Sequence, residues 1–270
     1  MPIKKDGRGK RWVEMEFLTP GTPEQVWQAM AGAGNAAWFT KADIEGQVGG
    51  AFQLDFGQGA TSSGKVTAWE PPHHFGYVEF GWAESAPPVA TEISITARSG
   101  GTCVVRMVHS LFASSDDWDD QIESFESGWP GFFAVLRTYL RHFAGMKAAS
   151  FIAMEGTETG HLAAWKRLLG DLGLTGADVG EERAISGPES LSGIVERVHQ
   201  DERQRYILLR LSKPGPGVAL IGTYDKGAGT NVSVCRYFYG DDAEARAAAG
   251  EPGWRGWLKA DAVSGRSRRD

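Results

Sequence analysis

His109 is the polar side chain best placed to do chemistry in this chain. Alternation over residues 102–112 puts Cys103, Val105, Met107, His109 and Leu111 on one face, so the imidazole stands on an apolar surface. An imidazole in a pocket can orient a ligand or act as a general acid or base. A core histidine bonded to backbone, or one at a pocket mouth, is the commoner outcome for a lone residue of this kind. Glu79 depends on strand register. The favoured register turns Val78, Phe80 and Trp82 inward and leaves Glu79 in solvent. The other register sends Phe75, Tyr77 and Glu79 into the interior, where a carboxylate is costly and its pKa rises. His73-His74 follows two prolines. Neighbouring histidines on a strand point apart, and no further His or Cys lies nearby at a ligand spacing, so no metal site is expected. The acidic run Asp116 to Asp120 lacks the alternating oxygen ligands and central glycine of a calcium loop. A helix start accounts for it better. There is no serine nucleophile elbow, no phosphate-cradling glycine loop and no dinucleotide fingerprint, and no cofactor is expected.

The elements that must position these residues come in two similar series. Gly128-Trp129-Pro130-Gly131-Phe132-Phe133 reappears as Gly253-Trp254-Arg255-Gly256-Trp257-Leu258. Each copy follows a long apolar strand and an acidic helix start. Each half also opens with a strand and a helix carrying a Trp, Trp27 or Trp165. This pattern reads as a diverged tandem duplication, with domains at 11–145 and 146–262 and disordered ends at 1–10 and 263–270.

In the first half, Val13, Met15 and Phe17 alternate with glutamates, which predicts a half-buried strand over 12–18. Thr22-Pro23-Glu24-Gln25 predicts a helix start with a cap, a proline at the first position and a capping box. Val26, Trp27 and Met30 form its apolar stripe. Strands follow around Phe52, Leu54 and Phe56, around Val66, and over 75–82, 91–97 and 102–112. Ile93, Ile95 and Ala97 face inward on one of them, and Ser99-Gly100-Gly101 closes a hairpin. A last helix follows, capped at Ser115, with a stripe through Ile122, Phe125, Trp129, Phe133 and Leu136. A kink or restart is expected at Pro130. The second half predicts a weak strand at 148–154, a helix at 159–172, strands near 191–199, 204–212, 217–224 and 231–239, and a last helix anchored by Trp254, Trp257 and Leu258. It is the smaller and more degenerate copy.

Such an order packs as α+β, with a long helix gripped by a curved antiparallel sheet. Any gap between them is an apolar pocket of roughly 300–1,000 Å³. The chain has 270 residues, 41% of them hydrophobic, with ten Trp, which is enough for two cores. A formal charge of −6 argues against a nucleic-acid partner. Residues 1–11 are basic without an apolar core, which is not a secretory signal. No stretch approaches the roughly 20 apolar residues of a membrane span. The two cysteines, Cys103 and Cys235, fall in the last strand of each half and read as core residues. A cytoplasmic protein is expected. Oligomeric state is open, a monomer with a pseudo-dimeric tandem being one arrangement, in which side-by-side copies hide sheet edges.

Trp38-Phe39, Gly49-Gly50-Ala51-Phe52, Gly64-Lys65-Val66, Glu70-Pro71-Pro72, Gly101-Thr102-Cys103, His109-Ser110-Leu111-Phe112 and Gly128-Trp129 resemble, in order, the motifs of one family. It comprises bacterial domains similar to the C-terminal domain of the activator of heat shock protein 90 ATPase, within the START-like (SRPBCC) superfamily. The resemblance covers about residues 11–145. Over 146–262 it rests on element order and Gly-Trp alone. It implies two helix-grip domains and a cavity for a hydrophobic or aromatic small molecule, and no single reaction. The expected lining is Trp38, Phe39, Phe52, Leu54, Phe56, Tyr77, Ile93, Ile95, Met107, His109, Trp129, Phe133 and Leu136. A cyclase-like or hydrolase-like enzyme acting on an aromatic substrate is the alternative, and needs a second polar group beside His109. A chaperone ATPase activator is a further alternative.

Overall fold

The structure, a computed structural model, describes residues 3–82, 85–113, 118–227 and 229–264, and the side chains of 124–126 and 261–264 are outside that description. The chain divides into two compact units, Met1–Gly145 and Met146–Asp270. Each is α+β, with an antiparallel sheet and a long C-terminal helix.

The first unit begins with β1 (Lys4–Lys5) and β2 (Lys10–Pro20). Helix α1 (Pro23–Met30) and a 3-10 turn at Ala33–Ala37 come next. Then follow β3 (Lys41–Ile44), β4 (Ala51–Asp55), β5 (Thr61–Glu70), β6 (His74–Phe80), β7 (Val89–Arg98), β8 (Thr102–Phe112) and helix α2 (Asp119–His142). The sheet order is β1-β2-β8-β7-β6-β5-β4-β3. Only the return of β2 onto the last strand departs from a simple meander. Val13, Met15 and Phe17 are buried on β2, and Cys103, Val105, Met107, His109 and Leu111 on β8, as alternation predicts. Helix α1 starts with the predicted capping box: the Gln25 amide donates to Thr22 Oγ1, and the Thr22 amide donates to Gln25 Oε1 at 2.9 Å. Pro23 has no N–H to satisfy, so two of the three remaining orphan amides of the helix start are thereby satisfied.

Helix α2 packs on β2 and β8 through Ile122, Phe133, Leu136 and Leu140. Pro130 lies inside it and no restart occurs. A proline there costs about 3 kcal/mol. The aromatic surface buried on both sides of it offsets that cost. The N-cap is Trp118, without a side-chain cap bond. The expected cap at Ser115, the acids Asp116 and Asp117, and the Phe125 side chain lie outside the described residues. Asp119 is held by Lys5 at 2.5 Å and Arg11 at 2.8 Å.

One expectation is corrected in this unit. Residues 4–5, expected to be disordered, pair with β2, because a two-residue basic strand carries no alternation to read but can still fold back on its neighbour. Ala97 shares the face of Ile93 and Ile95, opposite Cys103, but is exposed at the hairpin end of β7.

The second unit runs β9 (Ala148–Thr157), α3 (His161–Asp171), β10 (Glu182–Ser186), β11 (Ser190–Gln200), β12 (Gln204–Lys213), β13 (Gly217–Asp225), β14 (Thr230–Tyr239) and α4 (Ala243–Ser264). Its sheet order is β10-β11-β12-β13-β14-β9, so its first strand again closes onto its last. Strand β10 has no counterpart in the sequence reading, because Ile185 is its single buried residue and one residue makes no period. Trp165, Leu168, Trp254 and Leu258 are buried in one core. Pro252 lies within α4 as Pro130 lies within α2. Cys103 and Cys235 are both buried free thiols.

Candidate functional site

The first unit holds a cavity of about 470 Å³ between the sheet and α2. Strands β4, β5, β6, β7 and β8 supply one wall, and Gly128, Trp129 and Phe132 of α2 the other. Exposed Ala60, Thr61 and Gly81 stand at its mouth. Aromatic rings dominate the rest. Trp129 lies 4.8 Å from Phe39 and 5.5 Å from Phe133, centroid to centroid, and Phe39 lies 4.9 Å from Phe132 and 5.8 Å from Phe56.

Of the residues expected to line a site, Phe39, Leu54, Phe56, Tyr77, His109 and Trp129 meet at this cavity. Trp38, Phe52, Ile93 and Met107 lie deeper. With Tyr77 and Trp129 they surround a residual void of about 10 Å³, barely room for one water. Ile95, Phe133 and Leu136 do not line the cavity. Phe133 is spent on Phe17, stacked at 3.9 Å, and Ile95 and Leu136 are fully packed core. A filled core and a hollow one use the same residue types, so alternation alone could not separate these groups.

His109 belongs to a chain of hydrogen bonds. The Trp129 indole N–H donates to His109 Nε2 at 2.8 Å, and His109 Nδ1 lies 2.8 Å from Thr91 Oγ1. Because Nε2 accepts, the neutral ring carries its proton on Nδ1 and donates to Thr91. Thr91 in turn stands directly opposite Tyr77 across the β6–β7 pair. Burial lowers the His109 pKa to about 3. A second proton on the ring would also set N–H against N–H at Trp129. The histidine therefore acts as a neutral brace that fixes Trp129 across the cavity.

Glu79 is the group that the favoured register misplaced. The structure adopts the other register: Phe75 and Tyr77 are buried, Phe80 is 49% exposed, and Glu79 lines the cavity beside Tyr77. The error has a local cause. Gly81 has φ +64°, a left-handed conformation that breaks the alternation. Trp82 thus returns to the side of Tyr77 and Glu79, and counting back from it gives the wrong parity. The Ser62 hydroxyl donates to Glu79 Oε1 at 2.5 Å. Burial raises the Glu79 pKa, and the Ser62 bond opposes that rise. Burial, with the Glu79 charge second, holds the Tyr77 phenol far above its ordinary range. Ser62 and Thr91 were not singled out from sequence, since isolated hydroxyls in strands carry no signal. His73 and His74 turn to different partners, the Ile95 carbonyl and Glu92.

The second unit fills the corresponding space. Trp254 is fully buried against its sheet, and its indole N–H donates to Glu189 Oε2 at 2.5 Å. Arg236, 1% exposed, pairs with the same carboxylate and lies over the Phe238 ring at 4.8 Å. The void beside Leu258 and Ala164 is about 10 Å³. A broader depression of about 650 Å³ is lined by Gly170, Gly187, Gly253 and Gly256 with one aromatic, Trp257, and gathers no buried polar cluster.

The sequence profile of a family described as activator of Hsp90 ATPase homolog 1-like protein matches residues 20–141. Residues 20–141 are thus similar to that family over a little under half of the chain. Every residue lining the 470 Å³ cavity lies inside that matched segment. No curated protein sequence matches the chain. Among solved structures, the chain is similar to DynU16, a protein of the dynemicin biosynthetic locus, at 17% identity over 94% of this chain and 99% of the other, TM-score 0.43. Protein MLL2253 from Mesorhizobium loti is 25% identical over 49% of this chain and 98% of its own, TM-score 0.44. The Aha1 dimer from Colwellia psychrerythraea is 20% identical over 48% and 96%, TM-score 0.41. Among the described residues no helix is long and apolar enough to cross a membrane.

Proposed function

We propose that the first unit binds a hydrophobic, aromatic small molecule in the cavity between its sheet and α2. One observation carries the reading: a 470 Å³ space walled by aromatic rings, with Ser62, Glu79 and His109 as polar points in its lining. That volume and composition suit a small-molecule site. Trp129, braced by His109, would form the flat wall against which an aromatic ring rests. The second unit is read as a diverged copy whose cavity has been replaced by Trp254 and the Arg236–Glu189 pair.

Gly128 supplies the test. A Cβ placed there meets open space, and the residue lies on α2 at the cavity wall. Gly128→Leu should fill the cavity while improving the helix. Native mass spectrometry of protein purified from its own host should show a retained apolar molecule that the variant lacks. Equal retention by both proteins would place the molecule elsewhere and defeat the proposal.

A catalytic reading is the second candidate. Its support is that the Glu79 carboxyl, whose pKa burial raises, and the Ser62 hydroxyl reach the same cavity as His109, so a proton donor or acceptor stands beside any bound molecule. It requires the co-purified molecule to change mass on incubation, and Glu79→Gln to stop that change. Activation of a chaperone ATPase, named in the description of the matched family, has no support in this geometry. The purified protein is expected to leave an Hsp90 ATPase rate unchanged.

A further inference from the structure

Charge sorts the ligands this cavity can hold. Its ionisable lining residues are Glu79, Tyr77 and His109, and among the described lining residues there is no Lys or Arg. His109 is neutral and bonded at both ring nitrogens. The Tyr77 phenol is un-ionised, because burial and the nearby Glu79 charge oppose its ionisation. Glu79 is therefore the one lining group able to carry charge. Ser62 binds one of its oxygens, and among the described residues no cation is paired with it.

Each ligand class then meets a different cost. An anionic ligand would face the carboxylate with no counter-charge. A neutral ligand would displace water from Glu79 and leave a buried carboxylate unpaired, or force it to take a proton. A cation supplies the missing partner. The rings around it supply a second attraction, because the faces of Phe39, Phe56, Trp82, Trp129 and Phe132 carry negative potential. Cation–π contacts within the described residues fall on Trp12, Phe17 and Phe238, which do not line the cavity.

We infer that the cavity selects hydrophobic ligands that carry a cationic amine, with the ammonium at the Glu79 carboxylate and the apolar body among the aromatic rings. This deepens the binding proposal and rests on it. Ser62 holds the carboxylate in place, and binding of a fixed cation to protonated Glu79 would release that proton to solvent.

The test compares two probes of one shape on the full chain. Phenyltrimethylammonium is cationic, and tert-butylbenzene is its neutral isostere. Each is used to displace the neutral fluorescent probe N-phenyl-1-naphthylamine. The cation should displace it with affinity on the order of tenfold higher than the isostere. Glu79→Gln should erase that preference while keeping affinity for the isostere, which also shows that the variant is folded. Gly128→Leu should abolish displacement by both. If the isostere binds as well as the cation, or if the preference survives Glu79→Gln, the amine selectivity is wrong and the binding site stands. If neither displaces a bound probe and the probe itself ignores Gly128→Leu, the cavity reading falls and the selectivity with it.

Discussion

The two units set a tryptophan of a Gly-Trp pair on the last helix to opposite uses. In the first, Trp129 is partly exposed to a cavity, and a neutral histidine holds its indole nitrogen. In the second, Trp254 is driven wholly into the core, and a carboxylate paired with a buried arginine holds its indole nitrogen. Helix, sheet order and Gly-Trp element are alike. What differs is the polar group beneath the ring, and with it whether the space is hollow. A neutral brace leaves room beside it. The Arg236 guanidinium at that depth must be paired and packed, because an unsatisfied buried charge costs far more than an apolar gap, and its partner Glu189 keeps 21% of its side chain exposed.

The largest effects should come from breaking the filled side. Trp254→Ala should destabilise the second unit by about 3–5 kcal/mol, as removal of a fully buried Trp does. Glu189→Ala should cost a similar amount by leaving Arg236 buried without its partner. Both are checked by denaturant unfolding. Neither should alter binding of a probe to the first unit.

Acid should separate the units next. The His109 pKa is about 3 in the fold against an ordinary 6.5. Between those values the unfolded chain binds a proton that the folded ring refuses. Stability of the first unit should therefore fall as pH drops through that window, by at most about 1.4 kcal/mol per unit of pH. In His109→Gln this slope should disappear, which pH-dependent unfolding would reveal. Glu79 works in the opposite sense. Its carboxyl is raised by burial, so its contribution is fully present below the ordinary 4.5 and lost as pH rises through the folded value. Glu79→Gln should gain on the native protein as pH rises, by on the order of 1 kcal/mol. The smallest change is expected from Gly128→Leu, a gain of about 0.5–1 kcal/mol from helix propensity alone.

The sequence made the framework legible wherever an element was long and periodic. The β8 face through His109 and the Thr22 capping box could be read residue by residue, and the Gly-Trp repeat marked the two long helices. The site was legible only in part. Tyr77 entered the expected lining through the family resemblance, and only His109 announced itself by type and parity. Glu79 did not, because Gly81 reverses the alternation where the reading had to be anchored. Ser62 and Thr91 act through partners on neighbouring strands, and such pairs exist only once register is set. The hollow itself has no sequence signal: Phe132 lines it and Phe133 fills the core one residue away.

The most direct measurement is a stoichiometric titration of the full chain with N-phenyl-1-naphthylamine, repeated on Gly128→Leu. The account predicts one saturable site per chain, lost in the variant, since one unit is hollow and the other filled. Two sites per chain, or one site indifferent to Gly128→Leu, would contradict it.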